Sequence, residues 1–117
     1  MIENFGVGID LSNIDRFKKK TFQENKSFYR KIFTEKEISY CLKYKNYYER
    51  FAGKFALKEA LIKSISQKIH PCKIETSHIK SKPMIKLIGI KEKYQFCVSL
   101  SHENNFAIAI VISEKIT

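Results

Sequence analysis

The stretch from Tyr47 to Ser66 contains neither proline nor a long β-branched run, and it is the longest helix candidate in the sequence. On a wheel of about 100° per residue, Phe51, Phe55 and Ile62 cluster on one side, with Leu61 and Ile65 beside them. Leu57 and Ala60 occupy much of the back. So little of the girth is polar that the helix must be covered on several sides, by the core or by another subunit. A chain of 117 residues can build one compact core and hardly two. Such a helix therefore belongs at the centre of a single domain spanning 1–117. Four glycines and two prolines leave no room for a long linker, and no repeat period is visible.

The segments around this helix have different periods. Phe5-Gly6-Val7-Gly8-Ile9-Asp10 alternates as a strand, with Phe5, Val7 and Ile9 on one face and Gly6, Gly8 and Asp10 on the other. Glycines in a strand indicate that something approaches the backbone closely. Ser12, with Asp15 three residues on, predicts a capped short helix through Ile14 and Phe17. Thr34 with Glu37 gives a second capping box ahead of Ile38, Cys41 and Leu42. After His70-Pro71, short strands are predicted over Lys73–Ile79 and Met84–Ile88, separated by Ser81-Lys82-Pro83. Tyr94 to Ser101 alternates as a further strand, His102 to Asn105 reads as a turn, and Phe106–Ile112 returns. The order is β, three α, then antiparallel strands: an α+β fold with the sheet packed on the long central helix.

Twenty-two Lys and Arg against twelve Asp and Glu give a net charge of +10. That surface attracts nucleic acid, acidic lipid, acidic proteins or phosphorylated cofactors, and charge alone does not choose among them. The start of the chain lacks a basic leader, and no apolar run approaches the ~20 residues of a membrane span. Cys41, Cys72 and Cys97 have neither disulfide nor zinc spacing. A soluble, cytoplasmic protein with reduced thiols is expected.

Two carboxylates stand out. Glu59 and Lys63 project from the long helix along a narrow stripe shared with Ala52 and Ala56. On helix geometry alone, an i,i+4 ion pair between them accounts for both. Asp10 lies on the bare face of the first strand. If Asp10 and Glu59 meet, they form the donor set of a hard-cation site, since magnesium takes one or two carboxylates and leaves other positions for water and phosphates. Lys58 and Lys63 flank Glu59 and suit phosphate neutralisation.

Three blocks together resemble the holo-acyl-carrier-protein synthase family of phosphopantetheinyl transferases. They are Gly6-Val7-Gly8-Ile9-Asp10-Leu11 with Ile14-Asp15-Arg16-Phe17; Arg50 to Ala60 running on to Lys63; and Val98-Ser99-Leu100-Ser101-His102. Ser81-Lys82-Pro83 resembles the family's Gly-Lys-Pro turn. The blocks stand in family order and span essentially the whole chain. Departures are the Ser64–Ile69 segment where relatives have Gly-Thr-Gly, Asn13 in a region often acidic, Glu103 in place of a hydroxyl residue, and Lys54 in place of an arginine.

The resemblance implies transfer of 4'-phosphopantetheine from coenzyme A to a serine of an acidic acyl carrier protein, in fatty acid biosynthesis. It implies Mg2+ held by Asp10 and Glu59, with Lys63 also in the catalytic set. Cofactor contacts are implied for Lys54, Lys58, Lys63, Pro83, Ser101 and His102, and carrier binding for Arg16, Lys18, Lys19 and Lys20. It further implies a homotrimer with active sites at the interfaces. His102 reads as a structural or cofactor-contacting residue rather than a general base, and no nucleophile elbow accompanies Ser99 or Ser101. The rival readings are a basic nucleic-acid-binding module and a noncatalytic domain for an acidic protein partner; no RNP, KH or helix-turn-helix signature is present.

Overall fold

The computed structural model describes residues 3–116. Met1, Ile2 and Thr117, counted above within the single domain, lie outside the described residues. The chain runs β1 (Phe5–Asn13), α1 (Ile14–Lys19), α2 (Lys26–Ile32), α3 (Glu35–Leu42), α4 (Tyr47–Ser64), a 3-10 turn (Pro71–Lys73), β2 (Ile74–Ile79), β3 (Lys82–Leu87), β4 (Lys93–Glu103) and β5 (Phe106–Ile116). One antiparallel sheet has the order β1-β5-β4, and β2 and β3 form a separate two-stranded hairpin. The α+β architecture is the one expected.

The long helix lies at the centre. From Phe51 to Lys58 every residue of α4 is buried. Two of its charged residues, Lys54 and Lys58, lie inside rather than on an exposed polar face. The helix ends at Ser64, two residues earlier than the sequence predicts, where Ile65 turns to extended backbone (φ −121°, ψ 153°). Against its first half sits an aromatic cluster of Phe17, Tyr29, Phe33, Phe51 and Phe55, with ring centroids 4.7–6.4 Å apart and largely edge-on or tilted. Tyr29 Oη donates to Lys20 O at 2.5 Å, so the one polar atom in this cluster is satisfied.

Three local expectations need correction. The α1 cap is Asn13, whose Oδ1 accepts from Asp15 N at 2.9 Å, and not Ser12. Ser12 is instead the last inward-facing residue of β1, which runs three residues further than Asp10. Helix α2 was not anticipated; it has only seven residues, and its N-cap Asn25 makes no side-chain cap hydrogen bond. The turn between β2 and β3 is Lys80-Ser81, and Lys82-Pro83 belongs to β3. Proline is tolerated there because β3 pairs only with β2 and is an edge. The Thr34–Glu37 capping box is present in both directions, at 2.8 and 3.2 Å.

The two faces of β1 behave oppositely to a simple amphipathic strand. Its bare face meets α4: a Cβ at Gly6 would collide with the Ser64 carbonyl, and one at Gly8 with the Ala60 carbonyl. Backbone lies against backbone, and only glycine permits it. The apolar face points away, leaving Phe5, Val7, Ile9 and Leu11 each more than half exposed. Val7 and Ile9 pair with Ile112 and Ile110 of β5, which are also exposed, so the stripe spans two strands.

Candidate active site

The glycine contacts set the level of β1 on α4. Gly6 sits at Ser64 and Gly8 at Ala60, so strand and helix run antiparallel and each step of two strand residues matches one helical turn. Continuing the step brings Asp10 to the level of Ala56, beside the turn that carries Glu59. Lys63 reaches back along the helix, as side chains do toward the N-terminus. Its Nζ donates to Ile9 O at 3.0 Å and lies 3.3 Å from Asp10 Oδ1. The other carboxylate oxygen, Asp10 Oδ2, accepts from Ser12 Oγ at 2.7 Å.

Lys63 therefore pairs with Asp10 across the chain, and the expected i,i+4 pair with Glu59 is not formed. Glu59 is half-buried and makes no ion pair among the described residues. Of the three residues singled out from the sequence, Asp10 and Lys63 are in contact, and Glu59 stands one helical turn before Lys63 on α4.

Lys58 and Lys54 are not part of that grouping. Lys58 is fully buried on another side of α4, and its three N–H donors go to Ile32 O at 2.8 Å, Glu37 Oε1 at 2.6 Å and Pro71 O at 3.0 Å. An ammonium with all donors engaged inside the protein has none for a phosphate, so the cofactor-binding role expected for Lys58 does not fit this placement. Lys54 is also buried; its Nζ donates to Thr76 O and Thr76 Oγ1, both at 3.0 Å, and lies over the Tyr40 ring. Burial pulls both lysines below the ordinary lysine range, against the opposing pull of Glu37.

Glu37, which sequence reasoning read only as a capping residue, is the centre of this buried polar group. Its Oε1 accepts from Lys58 Nζ and Thr34 N, and its Oε2 from Thr76 N at 2.8 Å and Thr76 Oγ1 at 2.6 Å. The four acceptor sites of the carboxylate are filled. The capping pattern was the available signal, and it gave no hint of a lysine 21 residues away.

The remaining expected contacts are dispersed. His102 shares the inner face of the sheet with Ser12, two strands over, through Ala107. Gly53 admits its ring: a Cβ there would stand 3.2 Å from His102 Nε2. Ser101 is on the outer face, opposite Ile108, so it cannot share a pocket with His102 within one chain. Pro83 lines an open groove of about 700 Å3 between β3 and β4, with Met84, Phe96 and Leu100. A second cavity, about 710 Å3, opens beside Lys63 at the end of α4, where Ser66, Tyr94 and Lys115 also line it. Asp10 and Lys63 thus meet at the β1 contact of α4, and His102 lies beside Gly53, in the first half of the helix.

Helix α1 follows directly from β1 and presents Arg16, Lys18, Lys19 and Lys20, all exposed. The Arg16 guanidinium stands 5.0 Å from the Phe55 ring centroid, and Lys20 Nζ 3.9 Å from that of Phe28. In both, the charged group itself lies over an aromatic face while the residue remains exposed to solvent.

The model of the 4'-phosphopantetheinyl transferase superfamily matches residues 6–111, a span that includes nearly all of β1, the whole of α4 and β4, and the first half of β5. The chain belongs to this family. Among curated relatives, the holo-[acyl-carrier-protein] synthase of Thermodesulfovibrio yellowstonii is 36% identical over 115 residues, covering 96% of this chain and 98% of the relative. That of Caldicellulosiruptor bescii is 38% identical over 123 residues, covering 95% and 98%. Solved structures of the transferase family superpose closely. A Bacillus anthracis holo-(acyl-carrier-protein) synthase in complex with CoA (3',5'-ADP) gives a TM-score of 0.76 at 28% identity, covering 93% of this chain and 95% of that one. The Helicobacter pylori synthase in complex with coenzyme A gives 0.76 at 30% identity, covering 92% and 99%.

Proposed function

We infer that this chain is a single-domain, Mg2+-dependent holo-[acyl-carrier-protein] synthase. It moves 4'-phosphopantetheine from coenzyme A to a serine of apo-acyl carrier protein and releases adenosine 3',5'-bisphosphate, supplying fatty acid biosynthesis in the cytoplasm. The observation that supports the reading is the Asp10–Lys63 pair, which joins β1 to α4 one helical turn from Glu59. Relatives named for this activity match nearly the whole chain, and two structural neighbours hold coenzyme A or its fragment.

The donor set suits magnesium. No group of three or more His, Cys, Asp or Glu side chains gathers among the described residues, which is not the pattern of a closed protein cage. Two carboxylates, Asp10 and Glu59, fit a hard cation that completes its shell with water and substrate phosphates. Bound there, Mg2+ supplies charge neutralisation on the pyrophosphate.

The chain's own groups do the rest. Lys63, already aimed at Asp10, binds a pyrophosphate oxygen and stabilises charge developing on the leaving group. The carrier serine oxygen forms a bond to the β-phosphorus as the bond to the bridging oxygen breaks; Glu59 accepts the serine proton. Arg16, Lys18, Lys19 and Lys20 offer an acidic carrier a basic face, which orients the serine.

The chain assembles as a homotrimer, where His102, Ser101 and Pro83 of one copy face Asp10 and Lys63 of the next. The exposed stripe of Val7, Ile9, Ile110 and Ile112 is the apolar surface that such assembly covers. No helix among the described residues is long and apolar enough to cross a membrane.

The test is intact-mass spectrometry of an apo-carrier incubated with the protein, coenzyme A and Mg2+. A gain of one phosphopantetheine, absent with chelator, supports the reading. No gain with several apo-carriers, from folded protein that binds coenzyme A, would sink it.

A further inference from the structure

Helix α4 has a weak azimuthal address. It is apolar on most sides, and apolar packing tolerates small rotations and slips better than polar contacts do. On the β1 side the contact is backbone on backbone at Gly6 and Gly8, with no side-chain knob to index it. Glu59 and Lys63 nevertheless have to arrive at Asp10, on one narrow stripe.

On the sheet side, side-chain hydrogen bonds reach α4 near its C-terminal end, from Lys63 to Ile9 O and from Ser113 to Ser64 O; the fully buried polar contacts in the middle of the helix lie on another side. Taking Lys54 as zero, Lys58 falls about 40° around the helix, while Glu59 and Lys63 fall at about 140° and 180°. Lys54 and Lys58 are held by Glu37 and Thr76, which come from α3 and β2. Glu37 is tied in turn to its own helix start through Thr34 N. Three elements are therefore fixed to one carboxylate by hydrogen bonds of 2.6 to 2.8 Å. The group is fully satisfied, the condition under which a buried polar network specifies one arrangement.

We propose that Glu37 is a positioning residue for the reaction: through Lys58 and Thr76 it fixes the rotation and height of α4, and so delivers Glu59 and Lys63 to Asp10. It touches neither substrate nor reacting atoms. This rests on the reading of Asp10 and Glu59 as the metal carboxylates. It gives the capping box a second duty, as the far anchor of the site.

The experiment measures Mn2+ binding by electron paramagnetic resonance, with coenzyme A present, in the wild type and in Glu37→Gln and Thr76→Val. The core variant Ile38→Ala, on the same helix, serves as a control for general loosening, and thermal midpoints are measured for all. If Glu37 positions the site, Glu37→Gln weakens Mn2+ binding on the order of 10–100-fold, as loss of a supporting contact does at other metal centres. Thr76→Val weakens it less, and Ile38→Ala leaves it unchanged at a comparable drop in midpoint. Equal losses in Glu37→Gln and Ile38→Ala, or none in either, overturn the proposal. Should Glu37→Gln not fold, Thr76→Val set against Ile38→Ala decides it by the same comparison. A wild type that transfers no phosphopantetheine counts against the enzyme reading instead, so the two failures are distinguishable.

Discussion

Lys63 Nζ stands 3.3 Å from Asp10 Oδ1 although 53 residues separate the two in sequence. The pair is largely open on the lysine side, with 57% of the Lys63 side chain exposed against 15% for Asp10. Exposed pairs of this kind add little to stability. Removing either partner should therefore cost activity and not the fold. Lys63→Met and Asp10→Asn are expected to lower transfer about 10²–10³-fold, with thermal midpoints close to wild type. A parallel collapse of midpoint and rate would assign the pair a structural role.

Arg16 is exposed and held over Phe55, on the helix that follows the Asp10 strand. On the proposed reading its solvent-accessible charge meets the acidic carrier. Arg16→Glu is expected to raise the KM for the carrier while leaving that for coenzyme A near its wild-type value. Added salt should weaken the wild-type carrier interaction and affect the variant less. Equal rises in both KM values would remove α1 from the carrier surface.

Gly8 has the Ala60 carbonyl where a side chain would begin. Because the obstacle is helix backbone, no rotamer change relieves it. Gly8→Ala is expected to destabilise by about 3 kcal/mol or more, read as a lower urea midpoint. It should also displace α4 from β1, so that activity falls further than the loss of folded protein explains. An unchanged midpoint would mean that the strand and helix are not in this contact.

Alkaline pH should erode stability through two buried groups. Burial pushes the Cys41 thiol from 9.0 up to about 12, and the Tyr29 phenol from 10.0 up to about 12. In these windows the folded state keeps a proton that the unfolded chain has released. Stability therefore falls as pH rises, from about pH 9 for Cys41 and pH 10 for Tyr29, by up to about 1.4 kcal/mol per group per pH unit. Lys54 and Lys58 act oppositely, since the folded state binds them less tightly to protons than the unfolded chain does. The difference between wild type and Cys41→Ala isolates one group. The variant should show the shallower decline between pH 9 and 10 in denaturant titrations, and identical slopes would contradict the burial of this thiol.

The β2–β3 turn is made of two residues with positive φ, Lys80 at 50° and Ser81 at 68°. Both positions of such a two-residue hairpin favour Asn or Gly. Ser81→Gly should relieve a left-handed L-residue and stabilise by about 1 kcal/mol, seen as a raised thermal midpoint. A drop would show that the Ser81 side chain makes a contact worth more than the relief.

Where the determinants were local, the sequence showed them. The Thr34–Glu37 box, the girth of α4 and the bare face of β1 each depend on residues within a turn or a strand of one another. Asp10, Glu59 and Lys63 were marked in the sequence by helix spacing and glycine spacing, and the contact between Asp10 and Lys63 is the part of that grouping seen in the fold. Which carboxylate Lys63 would choose was not legible: the i,i+4 partner Glu59 is close in sequence, and Asp10 becomes its partner only when two glycines let β1 settle on the helix. Lys58 was misread for a related reason. A lysine next to a metal carboxylate looks like a phosphate ligand, yet one residue is about 100° of helix, enough to turn it inward to Glu37. The placement of His102 lay equally out of reach, since strand alternation gives its face but not its distance from Asp10.

The sheet order places β5 between β1 and β4, so the opening strand pairs only with the final one: Phe5 stands opposite Glu114, more than a hundred residues later. As the chain leaves the ribosome, β1 must wait without its partner through the synthesis of every helix. During that interval its outward stripe and its unpaired edge are both open to the wrong neighbours. Closing so long a loop is slow. The timing of sheet closure, more than the final stability, would then limit the yield of native protein during rapid expression, and a slower supply of nascent chain should raise the soluble fraction.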